Sequence, residues 1–71
     1  MAKKAKYVKL VRRYEGYVVL NRKTNDLLAV IDYYPGWKQY VARFKPDCIF
    51  SSECLNDIAR FCDNPKSCLE G

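Results

Sequence analysis

The feature that most constrains this chain is a single change of hydrophobic period, which comes late in the sequence. Apolar and β-branched residues occur in short strand-like runs up to Phe44, whereas the stretch SSECLNDIARFC, residues 51–62, has the spacing of an amphipathic helix. A helix of about 12 residues is about 18 Å long, so it can cover only one side of a sheet. The sequence therefore predicts a sheet with one covered face and one face that lacks a covering layer.

Turn residues divide the strand-like region into four segments. Glu15-Gly16, Lys23–Asp26 and Pro35-Gly36 separate the segments, and Pro46-Asp47 ends the last one. We therefore predict an α+β fold, an antiparallel four-stranded meander with one C-terminal helix packed on one face. The predicted single domain, residues 1–71, has a basic N-terminal arm (1–6), strands at 7–13, 17–22, 27–34 and 37–44, which make a meander over 7–44, and a helix over 51–63.

The helix is expected to begin at Ser51 or Ser52, because serine side chains cap helix N-termini. Its apolar stripe contains Leu55, Ile58 and Cys62, with Cys54 and Phe61 beside them. This stripe is the part that should pack on the sheet.

Strand parity predicts which side chains the helix covers, if Lys23–Asp26 form a four-residue loop. The covered face then holds nine residues: Val18, Leu20, Leu27, Ala29, Ile31, Tyr33, Tyr40, Ala42 and Phe44. The opposite face, which we call the open face, holds eleven: Tyr17, Val19, Asn21, Leu28, Val30, Asp32, Tyr34, Trp37, Gln39, Val41 and Arg43.

The predicted open face is unusually apolar for a solvent-facing sheet surface. Large apolar patches usually mark an interface or a ligand groove. We therefore predict that Val19, Leu28, Val30 and Val41 form an interface, either with a second copy in a homodimer or with a host defence protein. The alternative is that the N-terminal arm or the C-terminal tail folds over this face.

Positive charge is concentrated at the beginning of the chain, although the net charge of the whole is only +5. Residues 1–24 contain eight Lys or Arg and one acid, Glu15, whereas the last third is slightly acidic. Such asymmetry indicates contact with a polyanion. The alternative is a strand edge that lysines protect from association.

The residue inventory argues against an enzyme. The chain has no histidine, which removes the commonest general base and metal ligand, and its three glycines do not form a phosphate-binding loop. We expect no cofactor and no catalytic or metal site.

The four cysteines, Cys48, Cys54, Cys62 and Cys68, leave three interpretations open. Their spacing lacks the tight pairs of a zinc site. A disulfide would join Cys62 to Cys68, or Cys48 to a tail cysteine, whereas the preferred interpretation is that Cys54 and Cys62 are buried thiols that fill the core.

The longest apolar run, Leu27–Ile31, has five residues, whereas a membrane span needs about 20. We therefore expect a protein that is not in a membrane and that lies in the cytoplasm.

Two stretches, LLAVIDYYPGWKQYVARFKP (27–46) and IFSSECLNDIARF (49–61), carry a resemblance. They are similar to a pattern in small, mostly uncharacterised phage and prophage proteins, in which an aromatic pair and Pro precede a Trp-Arg-Gln-Tyr-Val strand and a Cys-Leu helix. This chain departs from the pattern at Lys38, Tyr33 and Ala42. The resemblance implies a phage accessory role in a host cell and transfers no activity. The matching positions are Ile31, Tyr33, Tyr34, Pro35, Trp37, Gln39, Tyr40, Val41, Pro46, Cys54, Leu55, Ile58 and Phe61.

These observations together predict a non-enzymatic, anti-defence binding protein that holds a polyanion, either a nucleotide signal or nucleic acid. Cations interleaved with aromatic rings suit phosphates and stacked bases. The alternatives are an inhibitor of a host defence complex and a structural homo-oligomer. The predicted ligand-binding residues are Lys9, Arg12, Arg13, Tyr17, Tyr34, Trp37, Lys38 and Arg43.

Overall fold

The fold is the predicted meander with a C-terminal helix, as seen in a computed structural model that describes residues 5–13 and 16–70. Four strands form one antiparallel sheet in the order β1-β2-β3-β4, which confirms the predicted fold class. Most of the predicted basic arm, residues 1–4, lies outside the described residues, as does Glu15 of the first predicted turn. The elements are β1 Val8–Arg13, β2 Gly16–Asn21, β3 Leu27–Tyr34, β4 Gln39–Phe44, α1 Ser52–Asp63 and a short α2 Pro65–Cys68.

One core lies between α1 and one face of the sheet, which we call the helix-covered face. Leu10, Val19 and Ile31 contribute to it from three adjacent strands and are completely buried. Ile58 and Phe61 project into it from α1. Apolar burial of this kind is the main source of stability in a chain of this size.

A β-bulge sets the register of β2 against β3 and corrects the predicted face assignment. Val19 pairs with Ala29 and Leu20 pairs with Leu27, so Leu28 is the extra residue on β3. The predicted four-residue loop would have placed Leu20 opposite Ala29. The observed pairing instead turns Tyr17 and Val19 toward the helix and Val18 toward the open face. The side chains of β4, and those of β3 after Leu28, lie on the faces that were predicted.

The helix begins and packs nearly as the sequence predicts. Ser51 is the N-cap, because its side chain accepts a hydrogen bond from the backbone N–H of Cys54 at 3.2 Å. The apolar stripe is rotated from the predicted one toward Cys54, Ile58 and Phe61. Leu55 therefore lies on the flank of the helix and is 45% exposed.

The outer edge of β1 is closed by the chain itself. The backbone N–H of Glu70 donates to the carbonyl of Leu10 at 2.8 Å, and Leu69 forms a parallel bridge with Leu10. Arg22 donates to the carbonyl of Val8 at 3.1 Å and binds both carboxylate oxygens of Glu70. The hydrogen bonds to the Glu70 carboxylate, together with its negative charge, raise the pKa of Arg22 above its ordinary value. The tail and Arg22 thus satisfy backbone groups that an edge strand otherwise leaves unpaired.

The described ends of the chain do not lie over the open face. Ala5 belongs to the core cluster, and Leu69 packs against that cluster at the β1 edge. Within residues 5–13 and 16–70, neither helix is long and apolar enough to cross a membrane.

Candidate nucleic-acid interface

The turn between β3 and β4 builds an exposed aromatic pair. The backbone N–H of Trp37 donates to the carbonyl of Tyr34 at 3.2 Å, which closes a turn that has Pro35 and Gly36 at its centre. A side chain at Gly36 would come within 3.0 Å of the Tyr34 ring, so glycine allows that ring to lie against the turn. The Tyr34 and Trp37 rings meet edge to face with centroids 5.1 Å apart, and Trp37 is 67% exposed.

Three other tyrosines form a second aromatic row on the helix-covered face. The Tyr40 ring lies edge to face between Tyr33, at 5.5 Å, and Tyr17, at 6.0 Å. The predicted faces are correct, with Tyr33 and Tyr40 on one side and Tyr34 on the other, but the expectation that Tyr33 lies in the core is wrong, because it is 52% exposed. The prediction that Tyr17 lies on the open face is wrong, because the bulge turns its ring inward and leaves it 7% exposed.

The cations of β1 are divided between the two faces by strand alternation. Lys9 and Arg13 pair with Leu20 and Gly16 and lie on the open face, where Arg13 is exposed. Neither forms an ion pair with another residue that the structure describes. Arg12 pairs with Tyr17 and so lies on the helix-covered side, away from the predicted site.

A groove of about 610 Å³ runs along the open face and reaches around the end of the sheet where Arg13 lies, so its lining also includes Tyr17 and Tyr33 of the helix-covered face. Gly16 is one of its lining residues, and a Cβ at this position would come 3.1 Å from the carbonyl oxygen of Ile31 on β3. The aromatic turn extends from the same end of the sheet, because the β1–β2 and β3–β4 connections both lie there. The residues lining the groove are Arg13, Gly16, Tyr17, Val18, Leu27, Val30, Asp32 and Tyr33.

The remaining predicted cations are placed differently. Arg43 lies on the open face, but its Nε is 3.3 Å from an Asp32 carboxylate oxygen, so its charge is largely balanced locally. Lys38 occupies the last position of the turn with a positive φ of 54° and lines a hollow beside Cys62 and Asp63 on the helix side. The Arg43–Asp32 pair was not predicted from the sequence, although the two residues face the same side of neighbouring strands.

The predicted apolar interface is only partly present. Val30 and Val41 lie on the open face and are half-buried, as the prediction requires. Val19 is completely buried in the core, so it cannot contribute to an interface, whereas Leu28 is half-buried and packs against the core from the bulge. Val18 takes a place on the open face but is only 5% exposed, because Val11 and Val30 flank it on the adjacent strands. The open face is thus less apolar at its surface than predicted.

A second basic hollow, which the sequence analysis did not identify, lies near the start of β1. Lys6, Tyr7, Arg22 and Lys23 line it together with Asn21, and it measures about 540 Å³. The guanidinium of Arg22 is engaged by Glu70, so the charge of this hollow is partly balanced. Glu70 is 48 positions from Arg22 in the sequence, so no local sequence signal marks the contact that balances this charge.

The cysteines are separate thiols that fill space around the core. Cys54, Cys62 and Cys68 pack against the core cluster, and all four cysteines are half-buried and unpaired in the structure. Burial, and then the charge of Asp63, raise the pKa of Cys62 above its ordinary value. Among the described residues no three His, Cys, Asp or Glu side chains are grouped closely enough to hold a metal ion.

Comparisons of this chain with models of protein families, with curated proteins and with solved structures find no match.

Proposed function

We propose that this chain is a non-enzymatic binding protein that holds single-stranded nucleic acid, or a nucleotide signal, on its open face. The observation that carries the proposal is the position of the exposed Tyr34–Trp37 pair at the same end of the sheet as Arg13, with Lys9 on the same face. Aromatic rings stack on bases and cations contact phosphates, which is the usual division of labour in single-strand binding.

Charge supports this assignment more specifically than the total of +5 does. Lys9 and Arg13 have no ion-pair partner in the part of the chain that the structure describes, whereas Arg22, Arg43 and Arg60 are each paired with an acid. A cation without a partner can contact a phosphate without first giving up a salt bridge. Among the described residues, β1 therefore supplies two cations of the open face, Lys9 and Arg13, that are not paired with an acid.

The biological setting that we propose is that of a small phage accessory protein acting against host defence in the cytoplasm. The support is the similarity of residues 27–46 and 49–61 to phage and prophage proteins. The absence of histidine supports a binding role rather than a catalytic one.

Trp37 provides a direct test, because it is the only tryptophan in the chain. Titration with an unlabelled oligothymidylate should quench its fluorescence, and anisotropy of a labelled copy should give the same affinity. The logarithm of the affinity should fall linearly with the logarithm of salt concentration. Binding without a change in Trp37 fluorescence would place the ligand elsewhere.

Two neighbouring arginines provide the matched control. Arg13→Gln should weaken binding about three- to tenfold and reduce the salt slope by about 0.7, since one phosphate contact is lost. Arg12→Gln removes the same charge from the other face and should have a smaller effect. Trp37→Ala should weaken binding about fivefold or more while leaving the slope unchanged. Equal effects of the two arginine variants would refute the assignment to the open face.

A second function, inhibition of a host defence complex by protein contact, is favoured by the same Trp37. A tryptophan that is 67% exposed beside a tyrosine is typical of an interface hot spot. Failure to bind oligonucleotide or nucleotide at low salt would leave this second function as the better proposal.

A further inference from the structure

The hydrogen-bonding groups of β4 that point away from β3 can be assigned from the register. The N–H of Lys45 donates to the carbonyl of Leu28 at 3.0 Å, in line with the ladder that pairs β3 with β4. Hydrogen-bonded pairs alternate along an antiparallel ladder. The N–H and C=O groups of Tyr40, Ala42 and Phe44 therefore point outward, and no turn, loop or tail among the described residues bonds to them.

The two edges of the sheet differ in this respect. The tail and Arg22 bond to the outward carbonyls of Leu10 and Val8 in β1, whereas no segment among the described residues covers the edge of β4, and Gln39–Phe44 itself contains no Pro, Lys or bulge. Its one charged residue, Arg43, is engaged with Asp32. The β4 edge is thus an open template for another strand.

Exposed apolar side chains are concentrated beside this edge. Phe44 is 48% exposed and Ile49, in the loop that follows β4, is 96% exposed. Ala59 of α1 lines a hollow together with Tyr40, so the flank of the helix that carries Ala59 faces β4. Leu55 lies one turn earlier on that flank and is 45% exposed. A partner strand at this edge would cover Phe44, which belongs to β4 itself.

We propose that β4 pairs antiparallel with β4 of a second copy of this chain, about a twofold axis at Ala42. In this register Ala42 faces Ala42, and Tyr40 faces Phe44 of the other copy. All the outward N–H and C=O groups of the three residues then find partners. Opposed aromatic rings add a cross-strand contact on the helix-covered face.

The side chains of the edge argue for a second copy as the occupant. Outward groups are evenly spaced on every edge strand, but here the outward residues on either side of Ala42, Tyr40 and Phe44, are both aromatic, so a twofold axis at Ala42 places an aromatic ring opposite an aromatic ring. The two sheets become one continuous sheet with both helices on one side. This goes beyond the proposed function and differs from the open-face dimer that the sequence predicted.

Sedimentation equilibrium of the full chain at tens of micromolar tests the proposal. The wild type should have twice the mass of the 8.3 kDa chain. Ala42→Pro removes an outward N–H but no bond to β3, and Phe44→Lys places a charge at the edge. Each should raise the dissociation constant at least about tenfold, with far-UV circular dichroism showing that the variant is folded.

Val30→Glu is the control, because Val30 lies on the open face away from the β4 edge. It should leave the mass unchanged. A variant pattern in which Val30→Glu yields monomers and Phe44→Lys does not would overturn the proposal in favour of an open-face dimer.

Amide exchange provides a readout of the strand pairing itself. The amides of Tyr40, Ala42 and Phe44 should become protected as protein concentration rises. A wild-type chain that stays monomeric, a dimer in which these amides exchange fast, or protection that appears only when another protein is added would each overturn the proposal.

Discussion

Val18 and Val19 are adjacent in β2 and both nearly buried, yet they lie on opposite faces of the sheet. Replacing either one by threonine keeps the shape and the strand propensity and adds one hydroxyl. At position 19 the hydroxyl would enter a core that contains no buried polar side chain among the described residues. At position 18 it would lie beside an open groove and reach water.

The expected cost follows from this difference. An unpaired hydroxyl in the core costs about 1–3 kcal/mol, so Val19→Thr should lower the free energy of unfolding by about 2 kcal/mol. Val18→Thr should lower it by less than about 0.5 kcal/mol. A domain of this length has a total stability of about 4–10 kcal/mol, so the larger effect is easily measured.

Urea unfolding followed by far-UV circular dichroism gives both values, with unchanged m-values showing that the same transition is compared. The register without the bulge predicts the reverse order, since it places Val18 under the helix. Equal costs, or a larger cost for Val18→Thr, would therefore refute the face assignment and the pairing of Val19 with Ala29.

Two further predictions concern the turn and a thiol. Lys38→Gly should raise the free energy of unfolding by about 0.5 kcal/mol in thermal melts, because Lys38 has a φ of 54°, whereas Gln39→Gly in the adjacent strand should lower it. Alkylation of Cys62, followed by peptide mass mapping, should reach half its maximal rate at a higher pH in the folded chain than in urea, because burial and Asp63 raise its pKa. Asp63→Asn should move that pH down only partly, since burial is the larger cause; identical profiles in folded and unfolded chains would contradict the prediction.

The order and type of the elements could be predicted because turn residues and periodicity are local signals. Pro35-Gly36 and the serines before α1 mark boundaries that the structure places within about two residues. The aromatic division at the β3–β4 turn also follows from alternation, because no bulge intervenes there.

The register of β2 could not be predicted, because it depends on one turn and one extra residue. The side-chain oxygen of Asn21 accepts hydrogen bonds from the backbone of Lys23 and Thr24, and Asn25 has a φ of 64°. The turn therefore starts earlier than assumed, and the bulge at Leu28 then shifts the pairing once more. A one-residue change reverses every side chain of a strand, which moved Tyr17 and Val19 out of the predicted site.

The candidate site was predicted best where a side chain's position depends on its own hairpin. The positions of Trp37 and Tyr34 depend only on the β3–β4 turn, and the face on which Arg13 lies depends only on strand alternation. The salt bridge between Arg22 and Glu70 joins residues 48 positions apart, and no periodicity reports such a contact.

The closure of β1 by Leu69 and Glu70 has a consequence for assembly. A sheet with one free edge can pair with only one other copy, whereas a sheet with two free edges could add copies on both sides and grow into a long intermolecular sheet. The tail occupies the outward carbonyl of Leu10 and so blocks the addition of another strand there. The salt bridge between Arg22 and Glu70 holds the tail in this position. If β4 pairs with a second copy as proposed, loss of the Arg22–Glu70 salt bridge would free the β1 edge as well and allow open-ended polymer growth instead of a closed dimer.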